Sequence, residues 1–203
     1  MGTQSGHPSA RQRLLDAADE LFYRNGIANT GVDDVLARAG VSVATLYAQF
    51  SSKDGLLQAS LLRRLDTWQA YWDEAIRAAD SDQERLLAVF DALKLYREGQ
   101  HSARWCAFLS TAVEIYETDH PAVDLIAADT ALLTRRLCSL SEPIAGAGAD
   151  QLAAAILLIY NGTLASFLRG SPEDPIGQGR EIATLAASAF PTRPGPHHSS
   201  QVP

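Results

Sequence analysis

The sequence predicts an all-α protein, and three observations support this prediction. Apolar residues recur at helical spacing along most of the chain, nothing in the pattern suggests strands, and proline and glycine cluster at the ends and at a few joints. The 203 residues suffice for one or two domains with a sizeable core. Neither a membrane-spanning apolar run nor a signal-peptide pattern is evident, so we expect a cytoplasmic protein with no membrane span.

The first helix is predicted from about Ala10 to Asn25. Ser9 and Gln12 have the spacing of a capping box at its start, and Gly26 ends it. Its apolar stripe consists of Leu14, Ala18, Leu21 and Phe22. Residues 1–9, which precede this helix, are expected to form a disordered arm.

Two short helical patterns lie between Thr30 and Lys53, on either side of Gly40. Each is too short to be stable alone, so the two must share a core. Gly40 can supply a tight turn and Ser42 can cap the second helix. This is the construction of a helix-turn-helix, whose second helix, here Val43 to Phe50, enters the major groove of DNA.

Six further helices are predicted after the helix-turn-helix. Their approximate bounds are 53–79, 81–99, 103–116, 121–140, 150–169 and 179–190. Ser51 or Ser52 caps the first of these helices. Residues 142–149 are expected to form a loop, and the polar, proline-rich residues 191–203 are expected to form a disordered tail.

The net charge of −7 by itself argues against a nucleic-acid partner, but this charge is distributed unevenly along the chain. Residues 1–64 carry seven Lys/Arg and six Asp/Glu, a net charge of +1, whereas residues 65–203 carry ten and eighteen, a net charge of −8. The acidic groups therefore lie mostly outside the helix-turn-helix. A nearly neutral segment can still bind DNA if its few basic groups face the phosphates.

The predicted helix at 150–169 is apolar nearly all round, because residues 152–168 contain no formal charge. Such a helix is buried on most of its sides, and its small residues permit close helix packing. It is either enclosed within one subunit or partly covered by a second subunit, and we favour the second subunit. The predicted dimer contacts are Ile126, Leu133, Leu137, Leu158, Gly162 and Ala165.

An ordered set of residues between Arg11 and about Leu62 carries a family resemblance. The set is Ala17, Ala18, Leu21, Phe22, Gly26, Thr30, Val32, Val35, Ala39, Gly40, Val41, Ser42, Thr45, Leu46, Tyr47, Phe50, Ser52, Lys53 and Leu56. It closely resembles the DNA-binding domain of the TetR family of transcriptional regulators. The remainder resembles that family in architecture only. The resemblance implies a helix-turn-helix DNA-binding domain at residues 10–65 and a helical ligand-binding and dimerisation domain at residues 66–190.

The resemblance also implies a function and a set of contacts. The expected protein is a homodimeric repressor that binds a near-palindromic double-stranded DNA operator and is released by a small effector, although the residues do not exclude an activator. Thr30, Ser42 and Thr45 resemble positions that contact the DNA backbone. Tyr47 matches a tyrosine that packs on DNA, and Lys53 resembles a phosphate anchor. The implied DNA-binding residues are Thr30, Ser42, Val43, Ala44, Thr45, Tyr47, Gln49 and Lys53.

Four residues depart from the family pattern: Gly31, Val43, Ala44 and Gln49. Val43 stands where the family often has Lys or Arg, and neither Val43 nor Ala44 can donate a hydrogen bond to guanine. Their natural partners in the major groove are thymine methyl groups. We therefore expect thymines in the operator at these positions and a small charge-driven component of binding. The sequence leaves two roles open for Arg11 and Arg13. They either belong to an arm that reaches DNA or are solvated residues in the first turn of the helix.

The aromatic side chains of the C-terminal region form either ordinary core or the wall of an effector pocket. Pockets between helices typically have apolar walls with a few polar groups, which predicts a small hydrophobic effector here. Glu114 lies in an otherwise apolar helix and is either an exposed charge or a pocket acid. The candidate effector-binding residues are Trp68, Tyr71, Trp72, Phe90, Trp105, Phe108, Leu109, Glu114 and Tyr116.

No metal site and no cofactor are predicted. His120 precedes Pro121 and fits a helix start better than a metal site, and the two cysteines, Cys106 and Cys138, match no metal or redox spacing. Two other classes of function remain open. One is a DNA-binding regulator controlled by a protein partner. The other is an enzyme that pairs Cys106 with His120, for which the sequence offers neither a third residue nor a strand-turn context.

Overall fold

The computed structural model describes residues 8–99, 106–115 and 119–190, and this part of the chain is helical with no strand. The predicted all-α class is therefore confirmed. A single 3-10 helix, Gly146–Gly148, lies between the seventh and eighth α-helices. The α-helices are α1 Ala10–Asn25, α2 Val32–Ala39, α3 Val43–Phe50, α4 Lys53–Ala78, α5 Asp82–Glu98, α6 Ala107–Glu114, α7 Ala122–Ala145, α8 Ala149–Arg169 and α9 Pro175–Ser188.

The helix starts predicted near the N-terminus are confirmed by their hydrogen bonds. The Ser9 hydroxyl accepts from the Gln12 amide at 3.2 Å, and the Gln12 side-chain oxygen accepts from the Ser9 amide at 2.7 Å. Ser42 caps α3 through the Thr45 amide, and Ser52 accepts from the amide of the third residue of α4 at 2.9 Å. Gly40 takes the left-handed conformation, with φ of 64°, which gives the tight turn between α2 and α3.

Two predicted boundaries in the C-terminal half are wrong. α7 continues through Pro143 to Ala145 and passes directly into the 3-10 helix, so the loop predicted at residues 142–149 does not form. α9 begins at Pro175, ahead of the predicted Gly179, because the Asp174 carboxylate accepts a hydrogen bond from the Gly177 amide at 2.9 Å and caps the helix.

Gly179 belongs to the packing of α9 and does not mark a helix start. A Cβ atom at this position would lie 3.1 Å from Phe90 Cε1 and would overlap the Thr163 hydroxyl. Glycine thus allows α9 to approach α5 and α8 closely. Phe90 also meets Tyr160 edge-on, with ring centroids 6.3 Å apart, so α5 and α8 pack together at the same place.

The chain divides into two compact units. The first unit contains Met1–Ala70 and Tyr96–Thr130, and the second contains Tyr71–Leu95 and Ala131–Pro203. Helices α1 to α3, here called the head, belong to the first unit and share a core with the start of α4. The most deeply buried side chains of that core are Leu14, Ala18, Phe22, Leu46, Leu56, Leu57 and Leu61.

One helical stretch is apolar enough to cross a membrane by length and composition alone. It is Ala122–Arg169, with a mean hydropathy of 1.5 over its most apolar window, of which 33% is buried. This is weak evidence for a span, because a core helix of a soluble protein meets the same criterion. The stretch contains α7 and α8, and the exposed part of α8 is described below.

Candidate DNA-binding interface and effector region

Helix α3 divides its side chains between the core and the surface. Leu46 and Phe50, one turn apart, are buried. Val43 and Tyr47 lie one turn apart on another face, and each has 51% of its surface exposed. Ala44, Ala48 and Gln49 are exposed as well. The helix therefore presents an apolar and aromatic face that no part of the described chain covers.

The start of α3 carries two hydroxyl groups that interact with each other. The Ser42 and Thr45 hydroxyl oxygens lie 2.9 Å apart, and Ser42 also accepts from the Thr45 amide. Ser42 is exposed and Thr45 is half-buried. Both hydroxyls thus stand at the positive end of a helix dipole, which is a favourable place to meet a phosphate group.

Thr30 and Lys53 have contacts inside the head that the sequence did not reveal. Thr30 is 1% exposed, and its hydroxyl lies 2.7 Å from the Gly26 carbonyl oxygen and 3.1 Å from that of Leu21. The Lys53 ammonium donates to the Ile27 carbonyl at 2.6 Å. Both side chains therefore stabilise the loop between α1 and α2. The hydroxyl of Thr30 would have to leave its pocket to reach a phosphate.

The structure separates the two arginines that the sequence left ambiguous. Arg13 donates to the Ala39 carbonyl at 3.0 Å and to the Pro8 carbonyl at 2.9 Å, so its guanidinium links α1 to the end of α2. Arg11 is exposed and lies 5.1 Å from the centre of the Phe50 ring at the end of α3. Arg11 is therefore the better placed of the two to contact DNA.

A buried polar cluster joins α1, α4 and α5 in the first unit. Arg64 is 6% exposed, donates to the Asp19 carboxylate at 3.2 Å and lies over the Tyr23 ring at 4.1 Å. Its guanidinium also reaches the Tyr96 hydroxyl at 3.4 Å. Burial opposes the charge of Arg64, but Asp19, Tyr96 and Tyr23 together outweigh the effect of burial, so the pKa of Arg64 is raised.

Sequence inspection missed this cluster, although a signal was present. Arg64 occupies a position on the apolar stripe of α4 that also includes Leu57, Leu61 and Trp68, all of which are buried. A charged residue on such a stripe needs a partner, because an unpaired buried charge is costly. The partner, Asp19, lies 45 residues away along the chain and could not be identified from spacing.

The segment around the end of α6 and the start of α7 contacts the head. The Glu114 carboxylate accepts a hydrogen bond from the Ala28 amide at 3.0 Å. His120 lies at the start of α7, as predicted, where its Nδ1 atom accepts from the Ala122 amide at 3.1 Å. Its Nε2 atom lies 3.5 Å from the Asp54 carboxylate in the first turn of α4. Glu114 is thus engaged by the head and is not a free pocket acid.

The remaining candidate effector residues are distributed over both units. Trp68, Phe108 and Leu109 belong to the first unit, and Trp68 packs edge-on against Tyr96 with ring centroids 5.9 Å apart. The second unit contains Tyr71, Trp72 and Phe90. Two candidates, Trp105 and Tyr116, lie outside the described residues.

Trp72 and Phe90 have the character of core residues. Both are 0% exposed. The Arg136 guanidinium lies 4.6 Å from the centre of the Trp72 ring and pairs with Asp73, so a side chain of the protein already occupies one face of that ring. Phe90 packs against Tyr160, as described above. An effector would have to displace these internal contacts to reach either ring.

The candidate dimer residues fall into two groups. Leu133 is 7% and Leu137 0% exposed within the single chain, so they have little surface left to bury against a partner and we assign them to the interior. Ile126 is half-buried. By contrast, Leu158 is 73% exposed, Gly162 and Ala165 are exposed on the same helix, and nothing lies within 4 Å of a Cβ built at Gly162.

Comparisons with known proteins agree with this architecture. Residues 14–60 match the family model described as bacterial regulatory proteins, tetR family. Over 172 residues the chain is 31% identical to the HTH-type transcriptional regulator BetI of Paraburkholderia phytofirmans, which covers 81% of this chain and 85% of that protein. The chain belongs to the TetR family. It is a transcriptional regulator with a helix-turn-helix DNA-binding domain.

Solved structures of TetR-family proteins share the whole fold. A regulator from Streptomyces coelicolor superposes with a TM-score of 0.82 at 24% identity, covering 89% of this chain and 95% of that one. A structure from Streptomyces avermitilis, also described as a TetR transcriptional regulator, has a TM-score of 0.76 at 30% identity and covers 92% and 100%. The TetR-family architecture thus extends through the C-terminal helices.

Other relatives match over part of their length. The transcriptional activator FasR of Mycolicibacterium smegmatis is 36% identical over 91 residues, which are 45% of this chain and 42% of that protein. The transcriptional repressor ComR of Escherichia coli is 33% identical over 82 residues, covering 40% and 39%. The alignments therefore span less than half the length of these two regulators, one of which is named an activator and the other a repressor.

Proposed function

We propose that this TetR-family regulator is a cytoplasmic repressor that binds a near-palindromic operator as a homodimer and is released by a small, largely apolar effector. The observation that carries the DNA-binding part is the uncovered face of α3, on which Val43 and Tyr47 are each 51% exposed. Residues 10–65 would bind DNA, and residues 66–190 would bind the effector and dimerise. The relatives are transcriptional regulators, so we propose no enzymatic activity.

In the proposed complex α3 lies in the major groove. Val43 and Ala44 would contact thymine methyl groups, and Tyr47 would pack on the DNA with its exposed ring. Ser42 and Thr45 would contact phosphates at the start of α3. Gln49 is exposed near the end of the helix and would read the groove from there.

Lys53 remains suited to a phosphate contact despite its bond to Ile27. An ammonium group has three N–H donors, and the Ile27 carbonyl takes one of them. A phosphate could accept from another without loss of the internal bond. For Thr30 we propose a structural role, because its buried hydroxyl already interacts with two carbonyl oxygens.

Dimerisation would use the exposed faces of α8 and α9. Leu158 on α8 and Leu185 on α9 are 73% and 67% exposed, and Ile182 is 50% exposed. Large apolar side chains exposed in a group of this kind typically mark an interaction surface. A two-fold pairing of these faces would place two heads on half-sites about one helical turn, roughly 34 Å, or a multiple of it apart.

Effector control would operate through the contacts that α6 and α7 make with the head. An effector that binds more tightly when the heads are displaced from DNA shifts the dimer toward that state, and DNA must then weaken effector binding by the same factor. Relatives named as an activator and as a repressor both resemble the chain, and a regulator controlled by a protein partner is the alternative.

Substitution of Tyr47 tests whether α3 is the helix that contacts the operator. An operator is first selected from random duplex DNA with the full-length protein. Tyr47→Ala should weaken operator binding by about tenfold or more, because it removes the largest exposed side chain of α3. Tyr47→Phe serves as the matched control, since it keeps the ring and should retain most of the affinity. A folded Tyr47→Ala protein with unchanged operator affinity would show that α3 is not the reading helix.

A further inference from the structure

Asp129 is a buried carboxylate with no bonding partner among the residues that the structure describes. It lies about two turns after the start of α7 and is 9% exposed. Ala122 and Leu133, one or two turns away on the same face of the helix, are buried apolar residues. No residue that the structure describes donates a hydrogen bond to the Asp129 carboxylate or forms an ion pair with it. Buried polar groups are almost always paired, so an unpaired carboxylate needs an explanation.

The first unit, which contains Asp129, also contains a thiol and an aromatic pair. Burial and, second, the charge of Asp129 raise the pKa of the Cys106 thiol, which immediately precedes α6. Tyr96, near the end of α5, belongs to the same unit. Tyr96 in turn packs edge-on against Trp68. Asp129 is therefore close enough to Cys106 for its charge to act on the thiol, and the Trp68–Tyr96 pair lies in the same unit.

Among the residues that the structure describes, no cation pairs with this carboxylate. Arg64 is the cation whose charge also reaches Cys106, but its guanidinium is bonded to Asp19 and stacked on Tyr23. Glu114, the acid that the sequence suggested for an effector pocket, is bonded to the Ala28 amide. Of the three described carboxylates Asp19, Glu114 and Asp129, only Asp129 therefore has no bonding partner among the described residues.

We infer that Asp129 anchors the positively charged group of a small organic cation, whose apolar body packs near Trp68 and Tyr96. This inference rests on the proposed function and sharpens it, because it replaces a purely hydrophobic effector with an amine-type one. A cation would supply the missing counter-charge inside the protein. Rings such as these also attract cations through their faces.

The test compares matched probes that differ in charge. Phenethylamine is paired with phenethyl alcohol, and hexylamine with hexanol, so that each pair shares its apolar body. Binding to the full-length protein is measured by calorimetry in the absence of DNA. The amine of at least one pair should bind about tenfold tighter than its alcohol, since hydrogen bonds to charged groups exceed neutral ones by this order.

Asp129→Asn should remove the preference for amines while preserving the shape of the side chain. Asp66→Asn, which removes an exposed carboxylate from α4, is the control and should retain the preference. Thermal unfolding without probe verifies that both variants fold. The inference is overturned if alcohols bind as tightly as amines, if no amine binds, or if Asp129→Asn keeps the preference.

Operator binding measured in the same samples separates the two proposals. Release of DNA by amines from the wild-type protein, but not from Asp129→Asn, supports both. Amine binding that depends on Asp129 but leaves operator binding unchanged supports the site and contradicts the proposed effector control. Release of DNA by alcohols as effectively as by amines overturns the cation site while leaving effector control intact.

Discussion

The Glu114 carboxylate at the end of α6 accepts a hydrogen bond from the backbone amide of Ala28, 3.0 Å away, in the loop between α1 and α2. The approach is close, because a Cβ built at the neighbouring Gly26 would lie 3.3 Å from the same carboxylate oxygen. His120 adds a second contact, with Asp54. Residues that are remote from α3 in sequence therefore hold the loop from which the helix-turn-helix begins.

Removal of the Glu114 carboxylate should release this loop. In Glu114→Ala the Ala28 amide loses its acceptor, so its hydrogen exchange should accelerate by roughly fivefold or more, the equivalent of about 1 kcal/mol. Exchange measured residue by residue checks this. Glu142→Ala, which removes an exposed carboxylate from α7, is the control. An unchanged exchange rate at Ala28 would mean that the bond does not hold the loop in solution.

Arg11 should be a phosphate contact. Its guanidinium is exposed beside the end of α3, over the Phe50 ring. Arg11→Ala should make the salt dependence of operator binding shallower by about 2 per dimer, since each phosphate contact contributes a slope of about −0.9 and the dimer has two copies. The slope comes from operator titrations at several salt concentrations.

The control for this prediction is Arg24→Ala. Arg24 is exposed on α1 like Arg11, but it pairs with Glu20 at 3.0 Å. Its removal should leave the slope unchanged. Because Val43, at the start of α3, is apolar and exposed, we also expect a small slope overall. A wild-type slope on the order of −8 per dimer would contradict this expectation and show that other cations dominate.

A charge at Gly162 should separate the dimer. The position is exposed on α8 beside Leu158, with open space where a side chain would extend. Gly162→Glu would place an uncompensated carboxylate in the proposed apolar interface, which typically costs several kcal/mol of association free energy. Sedimentation or light scattering should then show monomers. Ala70→Glu adds the same charge on an exposed position of α4 and should remain dimeric. A dimeric Gly162→Glu protein would refute this interface.

Asp129 should make the free energy of unfolding depend on pH. Burial raises the pKa of its carboxyl from 3.8 to about 7. The folded state then binds the proton more tightly than the unfolded state, so the contribution is fully present below pH 3.8 and is lost as pH rises through about 7. The total effect is at most ~4 kcal/mol.

The difference between the wild-type protein and Asp129→Asn isolates this contribution. Asparagine carries no charge at any pH, so other titrating groups cancel in the comparison. Urea unfolding should show the variant gaining stability relative to the wild type as the pH rises from about 5 to about 8. The charge of Asp129 also acts on Cys106, whose pKa of about 11 lies above this range. A difference that stays constant with pH would indicate an ordinary carboxyl pKa.

Local patterns were sufficient to predict the helices of the head. The Ser9 capping box, the turn at Gly40 and the Ser42 cap involve residues within a few positions of each other, so spacing alone identifies them. The exposed residues of α3 were expected from the family resemblance, and the helical period agrees, since Leu46 and Phe50 are one turn apart and buried. The sequence pattern was less informative at two residues of types that usually interrupt a helix. Pro143 lies within α7, and Gly179 is required within α9 by close packing against Thr163 and Phe90.

The sequence by itself determined the all-α class, the helix-turn-helix and the residues that α3 presents, because helical period, caps and turns are short-range properties. Only the tertiary structure decided what the polar side chains do. Glu114 and Ala28 are 86 residues apart, and Arg64 and Asp19 are 45 apart. Asp129 stands out only because folding buries it with no partner among the described residues. Such pairings depend on which helices pack together, and the spacing of residues along the chain does not predict that packing.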